Sequence, residues 1–145
     1  MSSGTIYSVN RWLDEELSPK APIAFMQDEE LELPSYRVRW KQERSLKLKP
    51  RGVLSGALFE IYCLDARNNR KQVRELADHA VEALRRWPEG TFFVPCYREA
   101  DPSSPITGYI AFRDIERREM HLSEHPDLAV CVVRVLALSF NLPAT

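Results

Sequence analysis

Cysteine and glycine are scarce in this 145-residue sequence, which contains three cysteines and five glycines. Cys63, Cys96 and Cys131 lie far apart, without a C-x-x-C pair, inside apolar segments. This spacing favours reduced core residues in a cytosolic environment over a disulfide framework. With so few glycines, the chain has neither a P-loop nor a dinucleotide-binding fingerprint.

The sequence also lacks an excess of charge of one sign and a long apolar run. Twenty Lys and Arg residues stand against twenty-one Asp and Glu residues, for a net charge of −1. This balance argues against a general nucleic-acid or membrane-surface role, because both need a large positive field. No apolar run reaches the ~20 residues of a membrane-spanning helix, and the N-terminus has no signal-peptide pattern. The length fits one domain, residues 1–145.

The clearest secondary-structure signal runs from residue 56 to residue 87. Residues 57–64 are apolar and aromatic and are bounded by turn formers, so they predict a strand. A long amphipathic helix follows, in which Asn69 is a candidate N-cap paired with Gln72 in a capping box, and Pro88 ends the helix. Its apolar positions recur at helical spacing: Val73, Leu76, Ala77, Ala80, Val81, Leu84 and Trp87.

Shorter signals fill the rest of the chain. Residues 6–17 predict a short N-terminal helix, and residues 22–26 and 36–40 predict strands. Residues 91–100 predict an edge or bulged strand because Pro95 cannot donate to a ladder. Residues 106–112 predict a strand that continues irregularly to 122, and residues 128–140 predict a central strand covered on both faces. We therefore expect an α+β two-layer sandwich: a mainly antiparallel sheet of about four to six strands, with the long helix on one face.

One stretch matches a catalytic motif as a string. His121, Glu124 and His125 form H-x-x-E-H, the inverted zinc-peptidase signature, which requires a helix. Pro126 follows at once, the next segment is strand-like, and no later Glu could serve as a third ligand. A polar loop is therefore the favoured interpretation, and His79 is expected to be an exposed surface histidine. No catalytic, cofactor or metal site is predicted, and the chain is not expected to be an enzyme.

Charge is segregated between two segments, an acidic one before residue 33 and a basic one from residue 41. Next to Tyr36 and Trp40, the basic residues could form a nucleic-acid surface, and a solvated strand face explains them equally well. A third interpretation is that the two segments are complementary surfaces through which identical subunits meet head to tail in a ring. The predicted contact residues are Arg44, Lys47, Lys49, Arg51, Asp28, Glu29 and Glu30.

The order of these elements resembles that of the tail terminator, or neck terminator, proteins of tailed bacteriophages. The resemblance rests on the arrangement of five segments across most of the chain. They are residues 11–13 of the short helix, the strand-like 22–26, residues 33–38 after the acidic stretch, the strand 59–63 and the helix 73–84.

The resemblance implies a non-catalytic virion protein without cofactors, located in the tail and neck and in the host cytoplasm during assembly. Its partners would be other copies in a homohexameric ring, the tail tube protein, the neck or head-closure (stopper) protein and, in contractile tails, the sheath. DNA would pass through the channel without specific binding, and no membrane is involved. By position, residues 41–53 would be the projecting basic hairpin of that family. Another neck component, such as a stopper or connector, and a nucleic-acid-binding module are the alternatives.

Overall fold

A computed structural model describes residues 3–25, 30, 32–48, 52–86, 94–121 and 123–141. In these residues the strands form one six-stranded sheet in the order β1-β2-β3-β6-β5-β4, and only the β1–β2 pair is parallel. The expected mixture of two helices with a mainly antiparallel sheet is confirmed. The elements are α1 (Ser3–Leu17), β1 (Ile23–Ala24), β2 (Ser35–Leu48), β3 (Gly52–Ala66), α2 (Arg70–Leu84), β4 (Val94–Tyr97), β5 (Ile106–Met120) and β6 (Leu128–Asn141).

The hydrophobic core lies between the helices and one face of the sheet. The Tyr36 hydroxyl donates a 2.8 Å hydrogen bond to the Leu76 carbonyl of α2, and the ring of Trp12 in α1 lies 5.1 Å from that of Phe112. Side chains alternate between the two faces of a strand, so the cross-strand register places Tyr36 and Phe112 on the same face. Both helices therefore cover that face. Its buried strand residues are Tyr36, Val38, Ala57, Phe59, Ile61, Cys63, Val94, Cys96, Ile110, Phe112, Ala129, Cys131, Val133, Val135 and Ala137.

The bounds of α2 differ from the sequence prediction. Asn69 occupies the N-cap position, but its side chain makes no capping hydrogen bond, so the expected capping box with Gln72 is wrong. The helix ends at Leu84 rather than at Trp87. The N–H of Arg85 donates to the Val81 carbonyl, and that of Arg86 donates to the Ala83 carbonyl. Trp87 and Pro88 lie outside the described residues.

His79 is half-buried, and the expectation of an exposed histidine is wrong. Its Nε2 lies 3.1 Å from the carbonyl oxygen of Glu16, so the imidazole links α2 to the end of α1. Arg86 joins the same two helices, because its guanidinium makes a 2.7 Å ion pair with the Glu16 carboxylate. The two polar contacts fix the packing of one helix against the other.

β4 is an edge strand with an irregularity, as its proline predicts. It pairs with β5, and the register shifts between Cys96 and Tyr97. Ser8 of α1 attaches the strand to the helix, because its hydroxyl accepts the N–H of Tyr97 at 2.9 Å and donates to the Gly4 carbonyl at 2.6 Å. The helix thereby satisfies a backbone group of a short edge strand.

The three cysteines are free and buried, as predicted. Cys63 and Cys131 are direct cross-strand partners on β3 and β6, and burial raises the pKa of the Cys63 thiol. In the described part of the chain, neither helix is long and apolar enough to cross a membrane.

Tyr36 gives the first testable prediction, because its side chain is completely buried and burial raises the pKa of its phenol above the ordinary 10.0. The unfolded chain ionises this group near pH 10 and the folded chain does not. The stability it contributes is therefore present below pH 10 and lost as the pH rises further. We expect Tyr36→Phe to lower the free energy of unfolding by about 0.5–1.5 kcal/mol at neutral pH, through loss of the hydrogen bond to Leu76.

The variant should also lose less stability than the wild type between about pH 9 and pH 11, because its ring cannot ionise. Urea unfolding curves across this range measure both effects. Tyr109→Phe, at an exposed tyrosine, is the matched control and should leave the pH dependence unchanged. Parallel curves for the wild type and Tyr36→Phe would contradict the assignment.

Candidate assembly surface

β6 lies at the centre of the sheet, and the expectation that it is covered on both faces holds for residues 129–133, which are all buried. Farther along the strand, Arg134 is exposed and Leu136, Leu138 and Phe140 are half-buried. Both helices lie over the face that carries Cys131, Val133 and Val135. We call the opposite face the open face, since neither described helix lies over it. It presents the alternate residues of four strands: Arg37 and Arg39 of β2, Leu58, Glu60, Tyr62 and Leu64 of β3, Val130, Val132, Arg134, Leu136, Leu138 and Phe140 of β6, and Tyr109, Ala111, Arg113, Glu116, Arg118 and Met120 of β5.

A row of alternating charge crosses the middle of the open face. Arg39 is opposite Glu60, Glu60 is opposite Arg134, and Arg134 is opposite Glu116. We call these four residues the charge row. Direct cross-strand neighbours have Cβ atoms about 4.5–5.5 Å apart, and opposite charges at that spacing stabilise a sheet by roughly 0.2–1 kcal/mol per pair.

Glu60 is the centre of this row. The Lys41 ammonium lies 3.1 Å from its Oε1 atom, and the Tyr62 hydroxyl donates to the same oxygen at 2.9 Å. Partial burial is the largest cause of the raised pKa of the Tyr62 phenol, and the hydrogen bond to Glu60 is the second largest. The carboxylate is therefore held in place by side chains from two strands, β2 and β3.

Cations outnumber anions among the described residues of the open face. Glu60 and Glu116 are its acidic residues. The basic residues are Arg37, Arg39, Arg113, Arg118 and Arg134, and Lys41 reaches the same face through its ion pair with Glu60. Because the whole chain is close to neutral, this face is a basic surface on a protein with no general positive field.

Apolar side chains flank the charge row on both sides. On one side Leu58 faces Leu136, and Tyr109, which is 49% exposed, faces Phe140. On the other side a concavity of about 360 Å³ forms beside Val132; its other lining residues are Glu60, Glu116, Arg117, Arg118, Met120 and Arg134. Strands with one solvated face normally alternate apolar and polar residues. A contiguous apolar patch rimmed by charged residues is instead typical of an interaction site.

The helix side of the molecule pairs its charges within the chain. Arg74 and Asp78 of α2 make ion pairs with Glu119 and Arg117 of β5, respectively. Arg74 lowers the pKa of the Glu119 carboxyl, chiefly through their hydrogen bond. Such exposed pairs contribute little to stability, so they orient β5 under α2 more than they stabilise the fold.

Two of the predicted basic contact residues, Arg44 and Lys47, lie on β2, which pairs with β3. Arg44 is opposite Gly56 and Lys47 is opposite Val53, while Lys49 and Arg51 lie outside the described residues. β6 continues this sheet, because Asn141 is opposite Val53. Of the predicted acidic residues, Glu30 is exposed before β2, and Asp28 and Glu29 lie outside the described residues. Their role in contacts remains a prediction.

The H-x-x-E-H string lies between β5 and β6, as the loop interpretation predicts. His121, Glu124 and His125 are exposed, and the described residues there form turns instead of a helix. The described chain contains no group of three His, Cys, Asp or Glu side chains placed to hold a metal.

The fold also occurs in a virus-like particle. The chain is similar to a chain in the solved structure of the virion of a native gene transfer agent (GTA) particle, with a TM-score of 0.56 and 14% sequence identity. The similarity covers 95% of this chain and 96% of that one, so it extends over nearly the whole of both chains. No protein-family model matches the sequence, and no curated protein matches it either.

Proposed function

We propose that this chain is a structural protein of a phage-like virion, in particular a tail terminator. It forms a homohexameric ring that caps the tail tube, stops its growth and joins it to the neck and head-closure proteins. The observation that carries the proposal is the similarity, over nearly the whole of both chains, to a chain of the GTA virion. The order of elements, which resembles that of tail terminators, supports the finer assignment.

In this role the protein acts through its surfaces and not through an active site. The β2–β3 hairpin and the charged residues along it, including Arg44 and Lys47, are the proposed contacts with neighbouring subunits and the tube. The basic open face with its apolar flanks is a surface suited to protein contacts. A stopper or connector would use the same kinds of surface at a different level of the neck.

The proposal is tested by mixing the purified chain with the tail tube protein encoded in the same genome. Mass photometry should show one defined oligomer of roughly 100 kDa, six times the 16.8 kDa chain. Negative-stain electron microscopy should show rings at one end of tubes of limited length. A chain that stays monomeric beside tube protein and leaves tube length unchanged contradicts the proposal.

The hairpin cations provide a second prediction. Replacing the four residues Arg44, Lys47, Lys49 and Arg51 by Ala should weaken capping of tubes at least tenfold, because a basic contact surface is lost. The matched control also removes four cations, but from the helix side: Lys20, Arg67, Arg70 and Lys71 to Ala. Capping is quantified as the protein concentration that limits tube length. If the hairpin variant instead caps normally but loses salt-sensitive DNA retention, the nucleic-acid interpretation is favoured.

A further inference from the structure

We infer that the open face is a subunit interface and that its occupant is the outer surface of α1 from a second copy of this chain. The inference rests on the proposed function, because a ring requires copies to meet. It names a pair of surfaces that meet between copies, in addition to the hairpin contacts of the proposed function.

The open face is apolar along most of its central strand, β6. Of its six β6 positions, only Arg134 is charged, and the others are Val130, Val132, Leu136, Leu138 and Phe140. β6 is the central strand, so these residues form the middle of the face. Val130 and Val132 are already buried within the chain, whereas Leu136, Leu138 and Phe140 are half-buried. These three residues gain from further cover, and nucleic-acid phosphates offer them nothing to pack against. A protein surface covers them best.

The open face also has an area large enough for a stable interface. Four strands of the face, β2, β3, β6 and β5, are 14 or 15 residues long. With strands ~4.8 Å apart and a rise of ~3.3 Å per residue, they present roughly 900 Å². A stable protein interface buries about 800 Å² per partner. The open face alone is therefore large enough for one lasting contact.

The open face and the outer surface of α1 also carry opposite charges. The open face has an excess of cations, whereas α1 carries Asp14, Glu15 and Glu16 against Arg11, its one basic residue. Glu16 is engaged by Arg86, but Asp14 and Glu15 are exposed. Glu15 makes only a 3.5 Å surface pair with Arg11, which a new partner can replace at little cost.

The geometry of the two surfaces sets the kind of assembly. α1 packs on the helix-covered face, so its outer surface and the open face point in opposite directions from the sheet. A contact between them is heterologous: each copy offers α1 to one neighbour and the open face to the other. Repetition of such a contact gives a closed ring or an open filament, not a two-fold dimer.

Charge reversal tests this pairing. Arg39→Glu with Arg134→Glu should raise the dissociation constant for self-association at least tenfold, because the acidic surface of α1 then meets like charge. Adding Asp14→Arg and Glu15→Arg to the same chain should restore assembly to within a few-fold of the wild type. The matched control, Arg67→Glu with Lys71→Glu, makes the same charge change on the helix side. Mass photometry over a dilution series measures all four proteins, and circular dichroism checks that each is folded.

Three results would overturn the inference: normal assembly of the reversed variant, no rescue by the α1 substitutions, or loss of duplex DNA binding with unchanged self-association. If the double reversal unfolds the chain, Arg118→Glu at an exposed position of the same face takes its place. Rings that cap tubes despite a reversed open face refute this interface and leave the terminator proposal standing. A chain that neither self-associates nor caps tubes refutes both.

Discussion

Replacing Phe59 by Ala is expected to lower the free energy of unfolding by about 3–5 kcal/mol. The Phe59 side chain is completely buried, and its ring lies 4.9 Å from that of Trp40 and 5.9 Å from that of Phe112. Trp12 extends this aromatic cluster to α1. The Phe59 ring thus joins β2, β3 and β5 beneath α1. Its removal leaves a cavity that rigid neighbours cannot fill. Domains are stable by only about 5–15 kcal/mol, so the loss is a large fraction of the total.

The adjacent residue, Leu58, supplies the control, because it is half-buried on the open face. Leu58→Ala should lower the free energy of unfolding of the monomer, measured with urea, by less than half as much as Phe59→Ala. Equal losses for the two variants would mean that the core does not lie on the helix-covered face. At concentrations where the protein assembles, the difference should shrink, since the proposed interface covers Leu58.

The secondary structure was predictable because its signals are local. The period of 3.6 in the α2 sequence, the period of two from Tyr36 onward and the breaks at Pro19 and Pro126 each depend on a few neighbouring residues. The H-x-x-E-H string was correctly interpreted as a loop for the same reason, since Pro126 follows it directly. The length of β2 was underestimated, because this strand continues through charged residues that pair across the sheet.

Which residues of each strand point towards the core was harder to predict than the presence of the strand. β3 and β6 are apolar at both odd and even positions, so alternation cannot distinguish the core side of Phe59 from the open side of Leu58. This continuous apolar character led to the expectation that β6 is covered twice. The structure buries residues 129–133 on both faces. From Arg134 to Phe140 the face opposite the helices is exposed or half-buried, and this part belongs to the candidate interface.

The candidate site depends on register, which no single segment encodes. Arg39, Glu60, Arg134 and Glu116 come from four strands, and they align only when the order β2-β3-β6-β5 is known. The sequence held one hint, the alternating cations at Arg37, Arg39 and Lys41, but that pattern fits any solvated strand. His79 was misassigned for a similar reason, because its partner belongs to the other helix.

Gly4→Ala is the second large effect that we expect, with a loss of about 1–3 kcal/mol in the free energy of unfolding. A Cβ atom at Gly4 would lie 2.2 Å from the Tyr97 carbonyl oxygen and 2.7 Å from that of Arg98. Both are backbone atoms, so no side-chain rotation relieves the clash. In most helices the same substitution stabilises by about 0.5–1 kcal/mol, and the expected effect here has the opposite sign.

The loss should be concentrated where α1 meets β4. Moving the first turn of α1 away from Tyr97 also strains the Ser8 hydroxyl, which bonds both the Gly4 carbonyl and the Tyr97 N–H. Hydrogen exchange at residues 94–97 should therefore accelerate more than exchange in β3 or β6. Glu15→Ala, at an exposed position of the same helix, is the matched control and should change neither quantity appreciably. A Gly4→Ala protein that is as stable as the wild type, with β4 equally protected, would show that the helix does not pack this closely on the edge strand.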